Sequence, residues 1–212
     1  MLTSTATRSA LMRYVDGQPF ELTSAQMTME QAVARRMSAE HVEKSKRLNS
    51  QGNGRWTQAL QFGLVKPGEA LGPIKLNQSW LAFSEEVGAQ PVFISREEMN
   101  LVKGSYLAKY DAPNFELLLA IGPGAVIKEI TVVDRTFGKS ALVDSYKGTG
   151  LGSSEAILLE KLGPSLRKSS ENTRNCLLTL GSPSSTIHFY SGVSFIVCKA
   201  NQQVIAMSIR AA

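Results

Sequence analysis

The sequence predicts an α+β fold: two tandem helix-plus-antiparallel-meander repeats forming one body, preceded by a basic N-terminal helix. Three observations carry this prediction. The stretch Asn77–Gly88, NQSWLAFSEEVG, has a counterpart at Gly152–Gly163, GSSEAILLEKLG, and each reads as one short helix ending in glycine. Behind each helix come short runs rich in β-branched and aromatic residues, parted by glycine or asparagine turns, which is the pattern of antiparallel hairpins. The first 68 residues hold nine Lys and Arg against five Asp and Glu, so they carry +4 of the net +5 and the rest is nearly neutral.

A chain of 212 residues can hold one domain with a full core, or two small units sharing one. Its composition, 43% hydrophobic and 19% charged, is that of an ordinary soluble globular protein. No apolar run approaches the roughly 18 residues that a transmembrane helix requires. Cys176 and Cys198 are the only cysteines, too few for a disulfide framework, and buried free thiols are expected in preference to a pair.

Met1–Arg13 is rich in Ser and Thr, with two arginines and no acid before Asp16, which is the composition of a short mitochondrial transit peptide. An ordinary terminus is the plainer expectation, and the expected setting is intracellular, cytoplasmic in preference to mitochondrial. Pro19 makes Gln18–Glu21 a loop. Thr23 with Gln26 then forms a capping box, opening a helix over about 24–48. Met29, Val33 and Met37 give that helix a thin apolar stripe, while Arg35, Arg36, Lys44, Lys46 and Arg47 load its other faces and are candidates for binding a partner. Glu40 and Glu43 interrupt the charge and no aromatic residue accompanies it, so a solvated flank or a protein partner is expected ahead of nucleic acid. Residues 49–55, NSQGNGR, are the linker. Trp56–Val65 suits a strand leading into a turn at Lys66-Pro67-Gly68.

The expected repeats are 69–135 and 136–212. A shift of 75 sets Trp80 on Glu155, Phe83 on Leu158, Val87 on Leu162 and Gly88 on Gly163. Trp80, Phe83 and Val87 form the inward stripe of the first helix; Leu158, Leu159 and Leu162 form that of the second. Both helices are too short to persist alone, so a sheet must hold them. Strands are expected at Pro91–Ile94, Leu101–Tyr110, Phe115–Ile121 and Val126–Val133. In the second repeat they fall at Asn175–Leu180, Thr186–Tyr190, Gly192–Cys198 and Val204–Ile209, with another short strand at Ala141–Val143 in the link. The helices should cover one side of the sheet and leave the other available.

The string Gly150-Leu151-Gly152-Ser153-Ser154 with Leu162-Gly163-Pro164, then a strand, then Tyr190-Ser191-Gly192-Val193-Ser194-Phe195, resembles the repeat of small binding modules. These include the outer-membrane assembly lipoprotein BamE and the β-lactamase inhibitor protein, and the pattern is also similar to repeats of the eukaryotic phagosome assembly factor family. The resemblance implies a protein-binding scaffold without catalysis and assigns no individual functional residue.

Gly148-Thr149-Gly150-Leu151-Gly152 with Ser153, placed before a helix, could cradle a phosphate. Its third glycine comes one place too early for the dinucleotide fingerprint and no Gly-Lys-Ser/Thr follows, so a structural turn is the leading expectation. His41 and His188 are the only histidines and lie far apart, which gives no metal-ligand spacing. In TIHFY, His188 alternates with apolar neighbours and is expected on the polar face. No nucleophile-elbow sequence is present, and the adjacent pairs Glu85-Glu86 and Glu97-Glu98 suit a solvated surface. No cofactor or metal is expected. Trp80 and Trp56 are the aromatic anchors to consider; Trp80 suits the core, yet it is the first residue to test for partner contact because the two copies differ most there. The expected function is a noncatalytic protein-binding or scaffold module. The alternatives are a structural subunit of a larger assembly and, more weakly, a phosphate-ligand binder at Gly148–Gly152.

Overall fold

The computed structural model describes residues 13–15, 18–20, 65–87, 91–94, 106–111, 115–136, 146–169 and 185–211. The expected helix over 24–48 with Arg35, Arg36, Lys44, Lys46 and Arg47, the linker 49–55, Trp56, and the strands at 141–143 and 175–180 lie outside the described residues. Near the N-terminus, Gln18–Phe20 is not a loop. It is a strand (β2) paired antiparallel with Arg13–Val15 (β1), with Pro19 opposite Tyr14. The intervening Asp16-Gly17 is a two-residue hairpin signal, and a two-stranded ribbon has only edges, where proline is tolerated.

A three-stranded sheet replaces the simple turn expected after Val65. Val65–Lys66 (β3), Ala70–Leu71 (β4) and Ile74–Lys75 (β5) fold back twice, helped by Gly68 and Gly72 at φ 73° and 56°. Then come Trp80–Val87 (α1), Val92–Ile94 (β6), Tyr106–Asp111 (β7), Phe115–Gly122 (β8), a 3-10 turn at Pro123–Ala125, and Val126–Asp134 (β9). The second half has Glu155–Leu162 (α2), Arg167–Ser169 (β10), Ser185–Tyr190 (β11), Val193–Cys198 (β12) and Gln203–Arg210 (β13). Strands β6 to β13 form one antiparallel sheet of eight, in the order β10-β11-β12-β13-β9-β8-β7-β6. Two four-stranded meanders thus meet through their last strands, and among the described residues β10 and β6 are the outer strands.

Both halves of this sheet have the same layout. Leu71 pairs with Ile74, and 75 positions later Tyr146 bridges Thr149. Asn77 donates its amide to Ile127 O, and Ile127 donates back to Gln78 O, at 2.7 and 3.0 Å. In the second half Gly152 donates to Val204 O and Val204 to Ser153 O, both at 2.8 Å. Asn77 and Gly152 occupy the same left-handed conformation, φ 62° and 82°, as do Ala125 and Gln202, φ 56° and 57°. Each central hairpin carries one register shift, at Ala120/Ile121 and at Ile196/Val197. Across the seam Thr131 lies opposite Ser208, and their hydroxyls are 2.8 Å apart. Each half therefore enters its helix through a short two-way backbone lock onto the first residues of its last strand.

Both helices start later than the sequence suggested, because Asn77–Ser79 and Gly152–Ser154 are spent on these locks. Ser154 caps α2 by accepting from Ile157 N, and Gly163 ends the helix as expected while its amide donates to Leu159 O, though with φ 76° and ψ −171° in place of the left-handed helical cap conformation. On the helix-bearing face, Trp80, Phe83 and Leu158 pack with Leu117, Leu119, Ile130, Val132, Phe195 and Met207. The opposite face was expected to be available, but Leu107, Leu118, Val133, Ile196 and Ile205 there are buried too. The reason is legible in the strands themselves: β8 and β12 are apolar at successive positions, as strands buried on both faces are.

The three-stranded sheet is tied to the far half by close backbone approach at Gly192, whose carbonyl accepts from Gly68 N at 2.9 Å. A Cβ built at Gly192 would stand 2.3 Å from Gly68 N and 2.7 Å from Pro67 C, whereas one at Gly124 would meet nothing within 4 Å. Both glycines have positive φ, 72° and 76°. Gly124→Ala should therefore cost only the conformational strain, about 1–2 kcal/mol, and Gly192→Ala should cost clearly more. Urea unfolding of both variants measures the difference; equal losses would show that the approach at Gly192 is not a tight constraint.

Candidate interaction surface around the second helix

The two helix–sheet junctions are built alike and filled differently. In the first half Trp80 Nε1 donates to Tyr110 Oη at 2.9 Å, and Phe83 meets the Tyr110 ring edge-on at 5.8 Å. Trp80 is 0% exposed, so this candidate for partner contact is a core residue, held by a partner 30 positions away. In the second half the equivalent helix position is Glu155. Its Oε1 lies 2.9 Å from His188 Nε2 and 2.9 Å from Lys168 Nζ.

His188 is 1% exposed, which corrects the expected polar-face placement. It lies opposite Phe195 in β12, and so on the α2 face. Burial holds its imidazole below the ordinary 6.5; Lys168 adds to this and Glu155 opposes it. A neutral ring donating from Nε2 to the Glu155 carboxylate leaves Nδ1 as a lone pair, buried and without a hydrogen-bond partner among the described residues. The hydrogen bond from Lys168 holds the Glu155 carboxyl below its ordinary 4.5, against the opposing effect of its partial burial.

The Gly148–Gly152 loop is a turn, as the leading expectation had it. Gly150 N donates to Ser153 Oγ, Ser153 N to Gly150 O, Gly152 N to Val204 O and Glu155 N to Gln202 O. These are the amides a phosphate would need, and a carboxylate, Glu155, already sits at the first position of α2. Gly150, Gly152 and Ser153 therefore already spend these amides on the chain itself, and Gly148 supplies a positive φ of 76° to the turn, an arrangement that favours the structural turn over the phosphate-binding alternative.

Two other polar groupings occur. Lys109 and Arg135 each reach both Asp111 and Glu116, at 3.2 to 3.3 Å, a charge-balanced set around the buried Glu116. A cleft of about 280 Å³ beside β3–β5 is lined by Lys66, Glu69, Lys75 and Asn77. There the amides of Glu69, Leu76 and Asn77 are already bonded within the chain. Among the described residues no group of three or more His, Cys, Asp or Glu is placed to hold a metal. Cys198 is a buried free thiol, and Cys176 lies outside the described residues.

The distinctive surface is apolar. Among the described residues the exposed large hydrophobics are Ile157 (42%), Leu159 (37%) and Leu166 (78%), all on α2 or between it and β10. The sequence reading placed Leu159 in the core stripe. An eight-residue helix with Ala156-Ile157-Leu158-Leu159 in succession cannot turn all four to one sheet, and only Leu158 is buried. That run was the signal available in the sequence. The equivalent first-half positions are Ala82, Ser84 and Pro91, none of them a large side chain, so among the described residues the exposed large apolar groups fall in the second half.

No protein-family model matches the sequence, and no curated protein matches it. Among solved structures the chain is similar to a DUF4309 family protein from Bacillus subtilis, with 13% identity, a TM-score of 0.41, and 73% of this chain covering 92% of that one. It is also similar to a cysteine-rich secretory protein from Staphylococcus aureus, with 9% identity and a TM-score of 0.40 over 70% of this chain. The match spans about half, 48%, of the staphylococcal protein. At these TM-scores neither likeness bears on function. No helix among the described residues is long and apolar enough to cross a membrane.

The buried histidine sets a pH dependence. Because His188 binds its proton less readily folded than unfolded, its contribution to stability is complete above pH 6.5 and is lost as the pH falls from there through its lowered folded value. Glu155, also lowered, loses its contribution below 4.5. Unfolding free energy measured against pH should start to fall below 6.5, and His188→Gln should flatten that upper part while leaving the lower one. An unchanged upper slope in the variant would remove His188 as its source.

Proposed function

We propose that this chain is a noncatalytic protein-binding module made of two tandem α/β repeats, 69–135 and 136–212, which contacts its partner through the second. The observation that carries the reading is the exposure of three large apolar side chains, Ile157, Leu159 and Leu166, in one short stretch of chain: α2 and the turn after it. Single exposed apolar residues need no explanation, whereas several from one short stretch beside polar groups suit a protein contact. Lys161 and Lys168 are exposed polar groups in the same stretch. The repeat assignment is supported by the shared backbone locks, register shifts and left-handed positions. One half then keeps a closed Trp80–Tyr110 junction, while the other carries the surface through which the module acts.

Affinity capture of the full chain from its native source, compared with Ile157→Glu and Leu166→Glu variants, tests this. Both positions are solvent-facing, so stability should change by no more than about 0.5 kcal/mol. Recovery of the specific partner should fall about tenfold or more. Equal recovery by both variants would overturn the surface, and turnover of a substrate by the purified chain would overturn the noncatalytic reading.

A further inference from the structure

The outer strand β10 brings a second kind of chemistry to the edge of the same surface. Side chains alternate along a strand, so Leu166 and Lys168 fall on the α2 face while Arg167 and Ser169 fall on the other. The ion contact from Lys168 to Glu155 fixes the first set, and the pairing of Arg167 with Phe189 fixes the second. Arg167 lies over the Phe189 ring at 4.2 Å, and Arg210, reaching across from β13, approaches the same ring at 5.2 Å. Two guanidinium groups are thus gathered at one aromatic side chain. Both arginines are exposed, and neither makes an ion pair among the described residues. Glu129, which faces Arg210 across the seam, instead accepts the Ser208 hydroxyl. Lys168, on the other face, is already engaged by Glu155.

We propose, building on the protein-binding reading above, that β10 is a docking edge for an extended segment of another protein in which acidic and apolar side chains alternate. Such a segment adds as a ninth strand. Its apolar side chains fall on the face of Leu166 and α2, and its carboxylates fall on the face of Arg167 and Arg210, which offer the planar forks that bind carboxylates in a bidentate manner. Charge selects this occupant over a second copy of the chain. Two β10 strands side by side would bring both arginine pairs together, and like charges across a strand pair are destabilising. A short basic edge strand can also serve only to prevent pairing. That role does not explain why the strand is preceded by a leucine with 78% exposure.

The test uses the full chain and four synthetic peptides: alternating Asp and Val; the same with Asn for Asp; the same with Lys for Asp; and the Asp-Val peptide with proline at alternate positions, which cannot complete the ladder. Binding is followed by fluorescence anisotropy and by amide hydrogen exchange at residues 167–169, with self-association monitored by sedimentation. The Asp-Val peptide should bind, slow exchange at 167–169, and lose about tenfold in affinity with Arg167→Glu/Arg210→Glu. The other three peptides should bind at least about tenfold more weakly. Equal binding of the Asn or proline peptide, protection elsewhere than β10, or self-association that protects β10 would each overturn the proposal. Should no peptide bind while Leu166→Glu still abolishes partner capture, the acidic-strand proposal fails and the protein-binding reading stands.

Discussion

Everything in the sheet depends on the antiparallel pairing of β9 with β13. Each is the last strand of its own meander, so joining them makes one continuous sheet with Thr131 and Ser208 facing one another at its centre. Ile130 and Val132 lie on the helix-bearing face next to Met207 and Ile209, while Val133 and Ala206 lie on the other. Separating the two strands would expose both layers of core at once. The partners are also about seventy-five residues apart, so the pairing forms only after a long loop has been closed. Neither half is expected to unfold on its own; the seam makes the two a single cooperative body.

The locks that follow from this seam fix where each helix begins. Asn77 and Gly152 reach into the left-handed region so that the chain can exchange hydrogen bonds with the first residues of β9 and β13 before turning into a helix. Glycine adopts that conformation freely and asparagine tolerates it better than most residues. Once the helix start is set, its first residue always falls over the second strand of the meander. Trp80 there finds a phenol and gives a dry junction; Glu155 finds an imidazole and a lysine and gives a titratable one. The same backbone geometry thus supports a rigid corner in one half and a pH-sensitive corner in the other.

The class of the fold and much of its order were legible in the sequence. The glycine at 163, the hairpins around 122–124 and 199–203, and the offset between the two helices all reflect local rules of backbone conformation, and they recur in the structure. What was not legible depended on length or on both faces of a strand being buried. β3, β4 and β5 have two residues each, too few to show a period, and Arg167-Lys168-Ser169 has no β-branched residue to mark it as a strand. His188 was misplaced because alternation tells which residues share a face but not whether that face meets water. Of the candidate contacts, Trp80 is buried and hydrogen-bonded to a residue 30 positions away, and Leu159 is exposed because α2 turns only Leu158 to the sheet, a rotation that the run Ala156–Leu159 does not specify.

The equivalence of the two outer strands has a consequence for assembly. Val92 answers to Arg167, Phe93 to Lys168 and Ile94 to Ser169, so the ends of the sheet match in geometry and differ in chemistry. A module whose two ends recognised the same thing would be bivalent, able to link partners into chains that grow without limit. If β10 docks a strand as proposed, the difference of three residues between the two ends leaves the module with one docking edge, and it would finish an assembly, or tether a single strand, without propagating it.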